Sequence, residues 1–203
     1  MPDGTNSRVE FTPWLSRVWD ANDTVFEPNN VWYLRNSTGT VAEQRAARLS
    51  SEHANTPAVV HFVGLGREVI AIAHNRTDGI DEKQVTYTKL DTEGKPLWIQ
   101  DARGNRVMEY INTPGAVTGY VPCYDIAGNL LFQHSMDAGD RWMIMDSSGQ
   151  PFYSWDENEK IMGTERFHEN KVLKSEYDVF HRPIEARIKI NAGEWQVIER
   201  MVY

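Results

Sequence analysis

Apolar and polar positions alternate along much of this chain. The clearest stretch runs from Glu185 to Ile190: Ala186, Ile188 and Ile190 fall on one face, Glu185, Arg187 and Lys189 on the other. Asn191-Ala192-Gly193 reads as a turn, and Trp195 to Tyr203 as the returning strand. Ala58 to Phe62, Val85 to Leu90, Arg106 to Ile111, Leu130 to His134 and Trp142 to Met145 are further short apolar runs bounded by turn chemistry. One segment has a different period. Thr40-Val41-Ala42-Glu43 fits a capping box, in which the Thr oxygen accepts a backbone N–H while the Glu reaches back. Ala42, Ala46 and Leu49 then form a narrow apolar stripe, and Asn55-Thr56-Pro57 ends the helix. The pattern predicts a mainly β chain with one short helix, carried on an insertion over about residues 40–55.

Aligning the turns exposes a repeat, Asp-x-x-Gly followed by a polar residue. It occurs at Asp91 to Lys95 with Gly94, Asp101 to Asn105 with Gly104, Asp125 to Asn129 with Gly128, and Asp146 to Gln150 with Gly149. Degenerate copies run from Asp156 to Lys160, with Glu159 in the glycine place, and from Asp178 to Arg182, with His181 there. Val63 to Arg67 keeps Gly66 and lacks the Asp. Successive copies lie about 10 or about 20–28 residues apart, the mark of an array of hairpins. The Asp starts the turn by accepting backbone N–H groups, and the Gly supplies a positive φ. The residue before the Asp is Leu90, Tyr124, Met145, Trp155 or Tyr177, which is expected to anchor the strand end on the packed face.

Composition narrows the function classes. The 203 residues are 40% hydrophobic and 25% charged, an ordinary globular mix. A formal charge of −8 disfavours nucleic acid and anionic membrane as partners. Cys123 is the single cysteine, so no intrachain disulfide forms and a Cys-based zinc site is excluded. No apolar run approaches the roughly 18 residues of a membrane span, and no signal peptide is visible.

Several stretches resemble a known family. Tyr124-Asp125-Ile126-Ala127-Gly128-Asn129 and Tyr177-Asp178 through Arg182-Pro183 are similar to the YD repeat of Rhs proteins. Val9 to Trp14, Trp19 to Val25, His53 to Pro57, Val69 to Asn75, Asp101 to Gly104, Gly139 to Trp142 and Gly193 to Arg200 resemble the Rhs-repeat region of Tc insecticidal toxin B components. These proteins often carry an SpvB-like N-terminal region. The resemblance implies antiparallel β-hairpins joined into a curved, spiralling sheet, a segment of a hollow shell that encloses a toxic polypeptide. It implies a non-catalytic structural role, with no cofactor and no metal. Implied partners are the remainder of the shell, the enclosed toxin polypeptide and other toxin-complex subunits. The implied location is extracellular within a toxin complex, and cytoplasmic before release. The 203 residues contain no SpvB-like propeller and no Rhs core with self-cleaving aspartates. Pro2-Asp3-Gly4-Thr5 at the start and the apolar run ending at Tyr203 suggest a repeat segment, residues 1–203, cut from a longer shell.

Catalytic signatures are weak. His53, His61, His74, His134, His168 and His181 form no His-Glu-x-x-His helix and no ligand spacing. There is no nucleophile elbow, Walker loop or dinucleotide fingerprint. Carboxylate pairs such as Asp156/Glu157 and Asp91/Glu93 are what chance supplies among 29 acidic residues. Asn22, Asn36 and Asn75 open formal glycosylation sequons that are expected to carry nothing. Trp98, Trp142, Trp155 and Trp195 either fill the packed face or stack on a ligand. The alternative to a shell segment is therefore a carbohydrate- or protein-binding repeat module on a secreted or surface protein. A hydrolase on the repeat scaffold is a third reading that no constellation supports.

Overall fold

Hairpins account for nearly all of the secondary structure. A computed structural model describes residues 3–28, 30–112, 121–162 and 165–203, with side chains left undescribed at 121–122, 158–162 and 165–168. Met1 and Pro2, at the head of the expected first turn, lie outside the described residues, as do the His168 and Glu159 side chains. The chain is mainly β, and it divides into two units, Met1–Lys95 with Gln100–Asn105 and Pro96–Ile99 with Arg106–Tyr203.

The first unit holds β1 (Arg8–Thr12), β2 (Leu15–Trp19), α1 (Val31–Asn36), α2 (Val41–Glu52), β3 (Ala58–Phe62), β4 (Glu68–Thr77) and β5 (Ile80–Leu90). The strands pair antiparallel in chain order, so each one follows its neighbour through a tight turn or, between β2 and β3, through the helices. Its buried apolar residues are Trp19, Val25, Ala47 and Ala54, all at or under the helical excursion.

The capping box of α2 forms as its sequence implies. Thr40 Oγ1 accepts the Glu43 N–H at 3.4 Å, and Glu43 Oε2 accepts the Thr40 N–H at 2.7 Å. The helix faces inward differently from the expected stripe. Ala47 is the buried residue, while Ala42, Ala46 and Leu49 face solvent. A small side chain lets the helix backbone lie close to its support, which a Leu would prevent. A second helix, α1, adds to the one expected. Its residues Val31, Trp32 and Tyr33 are β-branched or aromatic, weak helix formers. Asn30 overrides them by capping the helix, its side chain accepting the Tyr33 N–H at 2.9 Å.

The second unit holds β7 (Arg106–Glu109), β8 (Ile111–Asn112), β9 (Val121–Pro122), β10 (Phe132–Ser135), β11 (Gly139–Met145), β12 (Pro151–Met162), β13 (Glu165–Tyr177), β14 (Pro183–Ile190) and β15 (Gln196–Arg200); β6 (Pro96–Gln100) enters it through residues 96–99. From β10 to β15 every strand pairs antiparallel with the next. Strand β10 pairs on its other side with β7, and β8 and β9 form a separate two-stranded ladder. Leu97, Ile111 and Phe132 are its buried apolar residues. Most other described strand positions in this unit are half-buried.

One expected turn is absent. Asp156 to Lys160 lies inside β12, with Asp156 opposite Arg141 on one side and Lys171 on the other. The reason is the fourth place. Glu does not readily enter the left-handed region, whereas His181 does so at φ 58° and Gly66 does so at φ 71° without any Asp.

Candidate functional site: the repeat turns

Five turns share one hydrogen-bond pattern. In each, the first residue's N–H donates to the carbonyl four places on, and the fourth residue's N–H donates back to the first carbonyl. At Asp178 the distances are 2.9 Å to Arg182 O and 3.0 Å from His181 N. The carboxylate closes the turn from inside. Asp91 Oδ1 accepts from the N–H of Glu93 and Lys95, Asp101 Oδ1 from Arg103 and Asn105, Asp146 Oδ1 from Ser148 and Gln150, and Asp178 Oδ1 from Phe180 and Arg182. Asp125 Oδ1 accepts the Asn129 N–H at 2.8 Å. Gly94, Gly104, Gly128 and Gly149 take φ between 77° and 90°. Val63 to Arg67 makes the same two backbone bonds with no carboxylate.

At Asp101, Asp125, Asp146 and Asp178 these bonds favour the charged carboxylate. The Asn105 N–H holds Asp101 below its ordinary value, the Asn129 side chain does so for Asp125, the Gln150 N–H for Asp146, and the Arg182 N–H for Asp178. Such carboxylates are bound to their own turns. They are poorly placed to act as general acids.

A second device recurs between turns. Tyr124 Oη donates to Pro96 O at 2.8 Å, Tyr177 Oη to Pro151 O at 2.8 Å, and Tyr203 Oη to Pro183 O at 3.0 Å. Each proline is the fifth residue after the Asp of a turn: Asp91, Asp146 and Asp178. Proline has no N–H, and at Pro151 and Pro183 the ladder register shifts. The tyrosine hydroxyl takes the carbonyl there. Tyr124 and Tyr177 thus do more than anchor a strand end by apolar contact. The signal was present in sequence as a proline at a fixed place after three of the aspartates.

A buried clasp fixes the helical excursion. Asp23, 8% exposed, accepts the Thr56 N–H at 2.7 Å and the Thr56 hydroxyl at 2.8 Å through Oδ1, and the Asp20 N–H at 2.8 Å through Oδ2. The fully buried Thr24 donates its hydroxyl to Asn6 O, and Asn30 Nδ2 donates to Thr24 O. The stretches Trp19 to Val25 and His53 to Pro57 are therefore bonded to each other.

No protein-family model matches the chain, and no curated protein matches it in sequence. Solved structures do match in fold. The pore form of the Tc holotoxin of Photorhabdus luminescens superposes with a TM-score of 0.65 at 19% identity, over 99% of this chain and 8% of that one. A crystal structure of TcdB2-TccC3 without its hypervariable C-terminal region gives 0.61 at 19% identity, and one of TcdB2-TccC3-Cdc42 gives 0.62 at 19%; each match covers 97% of this chain and 8% of that one. The fold is that of a Tc toxin segment. This chain spans 8% of the length of the chains it matches.

Within this Tc-type fold the remaining candidate residues are placed as follows. Trp142 and Trp155 are opposite each other across β11 and β12 and stack at 6.0 Å with planes 10° apart, and Phe132 packs on Trp142 at 5.2 Å. The two tryptophans face one another and are half-buried. Arg106 covers the Trp98 ring at 4.9 Å, and Trp195 precedes β15. Glu185 is gripped by Arg187 and by Arg200, which hold its carboxyl below the ordinary value, Arg200 most. His134 Nδ1 lies 2.5 Å from Asp140, and His74 Nε2 lies 3.4 Å from Asp81, which Arg76 also holds. Burial pushes the Cys123 thiol up, away from thiolate chemistry. Among the described residues no group of three or more His, Cys, Asp or Glu is placed to hold a metal. Asn36 is buried and donates to Trp32 O, which removes it as a glycosylation acceptor. Among the described residues no helix is long and apolar enough to cross a membrane.

Proposed function

We propose that this chain is a non-catalytic structural segment of an Rhs/Tc-type toxin shell that encloses a toxic polypeptide. The observation that carries the reading is the recurrence of the turn and its tyrosine bond. The acidic side chains that the repeat sets out are consumed in building hairpins, and the hairpins build a Tc-type fold. A wall element needs that property, since its side chains are spent on repetition rather than on one site. The partners are the rest of the shell, the enclosed polypeptide and other toxin-complex subunits; the matched structures join TcdB2 to TccC3, in one case with Cdc42. The assembly acts outside the producing cell after assembly in its cytoplasm.

The test is electron cryo-microscopy of the protein purified with its native partners. The expected result places these hairpins in the wall of a closed β shell around enclosed polypeptide density. A segment standing alone, with no strands added at either edge and no enclosed density, would overturn the proposal.

A further inference from the structure

The side chain in the fifth place of each turn has a polar partner in five cases. Lys95 Nζ reaches Glu93 at 2.8 Å, Asn105 reaches Asp101 at 3.1 Å, Asn129 reaches Asp125 at 2.8 Å, Gln150 reaches the His181 carbonyl at 3.1 Å, and Arg182 Nε reaches Asp178 at 2.7 Å. Arg67 is the sixth case. Its turn begins with Val63, so the carboxylate that an arginine in this place would bind, as Arg182 binds Asp178, is missing. Among the described residues the Arg67 guanidinium has no hydrogen-bond or ion-pair partner.

The guanidinium is also held in position. Arg67 is half-buried and lies over Gly94 of the neighbouring turn, in the space a Cβ would fill. It borders a cleft of about 420 Å³ whose lining includes Leu65, Val69, Leu90 and a second cation, Lys89. Asp91, the nearby acid in that lining, spends Oδ1 on the N–H groups of Glu93 and Lys95. A half-desolvated guanidinium beside apolar walls calls for a planar anion with an apolar stem.

We propose that this cleft binds an acidic side chain of an extended peptide, the carboxylate paired with Arg67 and the flanking residues lying on Leu65, Val69 and Leu90. The inference stands independently of the shell reading. Its failure leaves that reading untouched, and the converse holds too.

The Arg67 Nε–H resonance of ¹⁵N-labelled chain reports the site. The probes are an acetylated, amidated Leu-Glu-Leu peptide, its Leu-Gln-Leu counterpart and free glutarate. A saturable shift with the Glu peptide is expected, at an affinity about tenfold better than either control, the size of one charge-assisted pair or of the lost apolar contacts. Val63→Asp supplies the missing carboxylate within the turn and is expected to abolish the peptide response while the melting temperature holds or rises. The proposal is overturned if the Glu peptide causes no shift, if the Gln peptide binds equally, or if folded Val63→Asp still binds it. Glutarate binding as tightly as the peptide would also overturn it, in favour of a small free carboxylate.

Discussion

At the residue scale, the fourth place of the turn decides where a hairpin reverses. Gly66 reverses the chain without an Asp, His181 does so in place of a Gly, and Glu159 after Asp156 does not. The Asp strengthens a reversal that the left-handed residue permits. Gly104→Val and Gly128→Val are therefore expected to destabilise the chain by at least the roughly 1–2 kcal/mol of a left-handed residue with a Cβ. Gly139 and Gly149 separate strain from crowding. Both have φ above 70°, yet a Cβ at Gly149 meets open space while one at Gly139 would fall on the Glu157 carbonyl oxygen. Gly139→Ala should lower the midpoint of urea unfolding clearly more than Gly149→Ala, and equal losses would refute the crowding. Asp101, Asp125, Asp146 and Asp178 have folded pKa values below their unfolded ones. Their stabilisation is complete above the unfolded value near 4 and is lost as pH falls through the lower folded value. The melting temperature should stay level from neutral pH to about 5 and drop below about 4, a drop that Asp125→Asn with Asp178→Asn makes shallower. An unchanged profile in that double variant would contradict the turn assignment.

Elements were legible where their determinants are local. The Asp-x-x-Gly spacing, the capping box of α2 and the alternation in β14 all lie within a few residues, and each describes a piece of the fold. What escaped the sequence depends on partners far along the chain. The Tyr–Pro bonds span 28, 26 and 20 residues, and the Asp23–Thr56 clasp spans 33. The buried face of α2 is set by what lies beneath it, so Ala47 displaced the more hydrophobic stripe through Leu49. The six-residue α1 depends on an Asn cap that polar content alone does not announce. Tyr177→Phe and Tyr124→Phe should each cost about 1 kcal/mol in chemical unfolding, the worth of one hydrogen bond. Tyr153→Phe is the control, because its hydroxyl makes no hydrogen bond among the described residues, and a control equal to the other two would remove the tyrosine device. Asp23→Ala leaves the Asp20 and Thr56 N–H groups without their acceptor, the Thr56 hydroxyl turning to the His53 carbonyl, and should cost about 2–3 kcal/mol and loosen the helical excursion first. Hydrogen exchange that stays protected through α1 and α2 in that variant would deny the clasp its role.

For the whole molecule, the outer strands matter most. Strands β1 and β15 are exposed along their full lengths, and each has one neighbour in its ladder. They present Val9 and Phe11, and Val197 and Ile198, at 48–81% exposure. Unpaired backbone groups beside apolar side chains add strands readily. Glu199 and Arg200 do little to guard β15, since Arg200 is turned onto Glu185. Edges of this kind suit strand addition, which a self-contained binding module would blunt. The direct measurement is sedimentation velocity of the 203-residue chain across micromolar concentrations, beside a variant with Val9→Lys and Val197→Lys. The shell account predicts concentration-dependent association that the lysines suppress. A chain that stays monomeric at high micromolar concentration, with or without them, would contradict it.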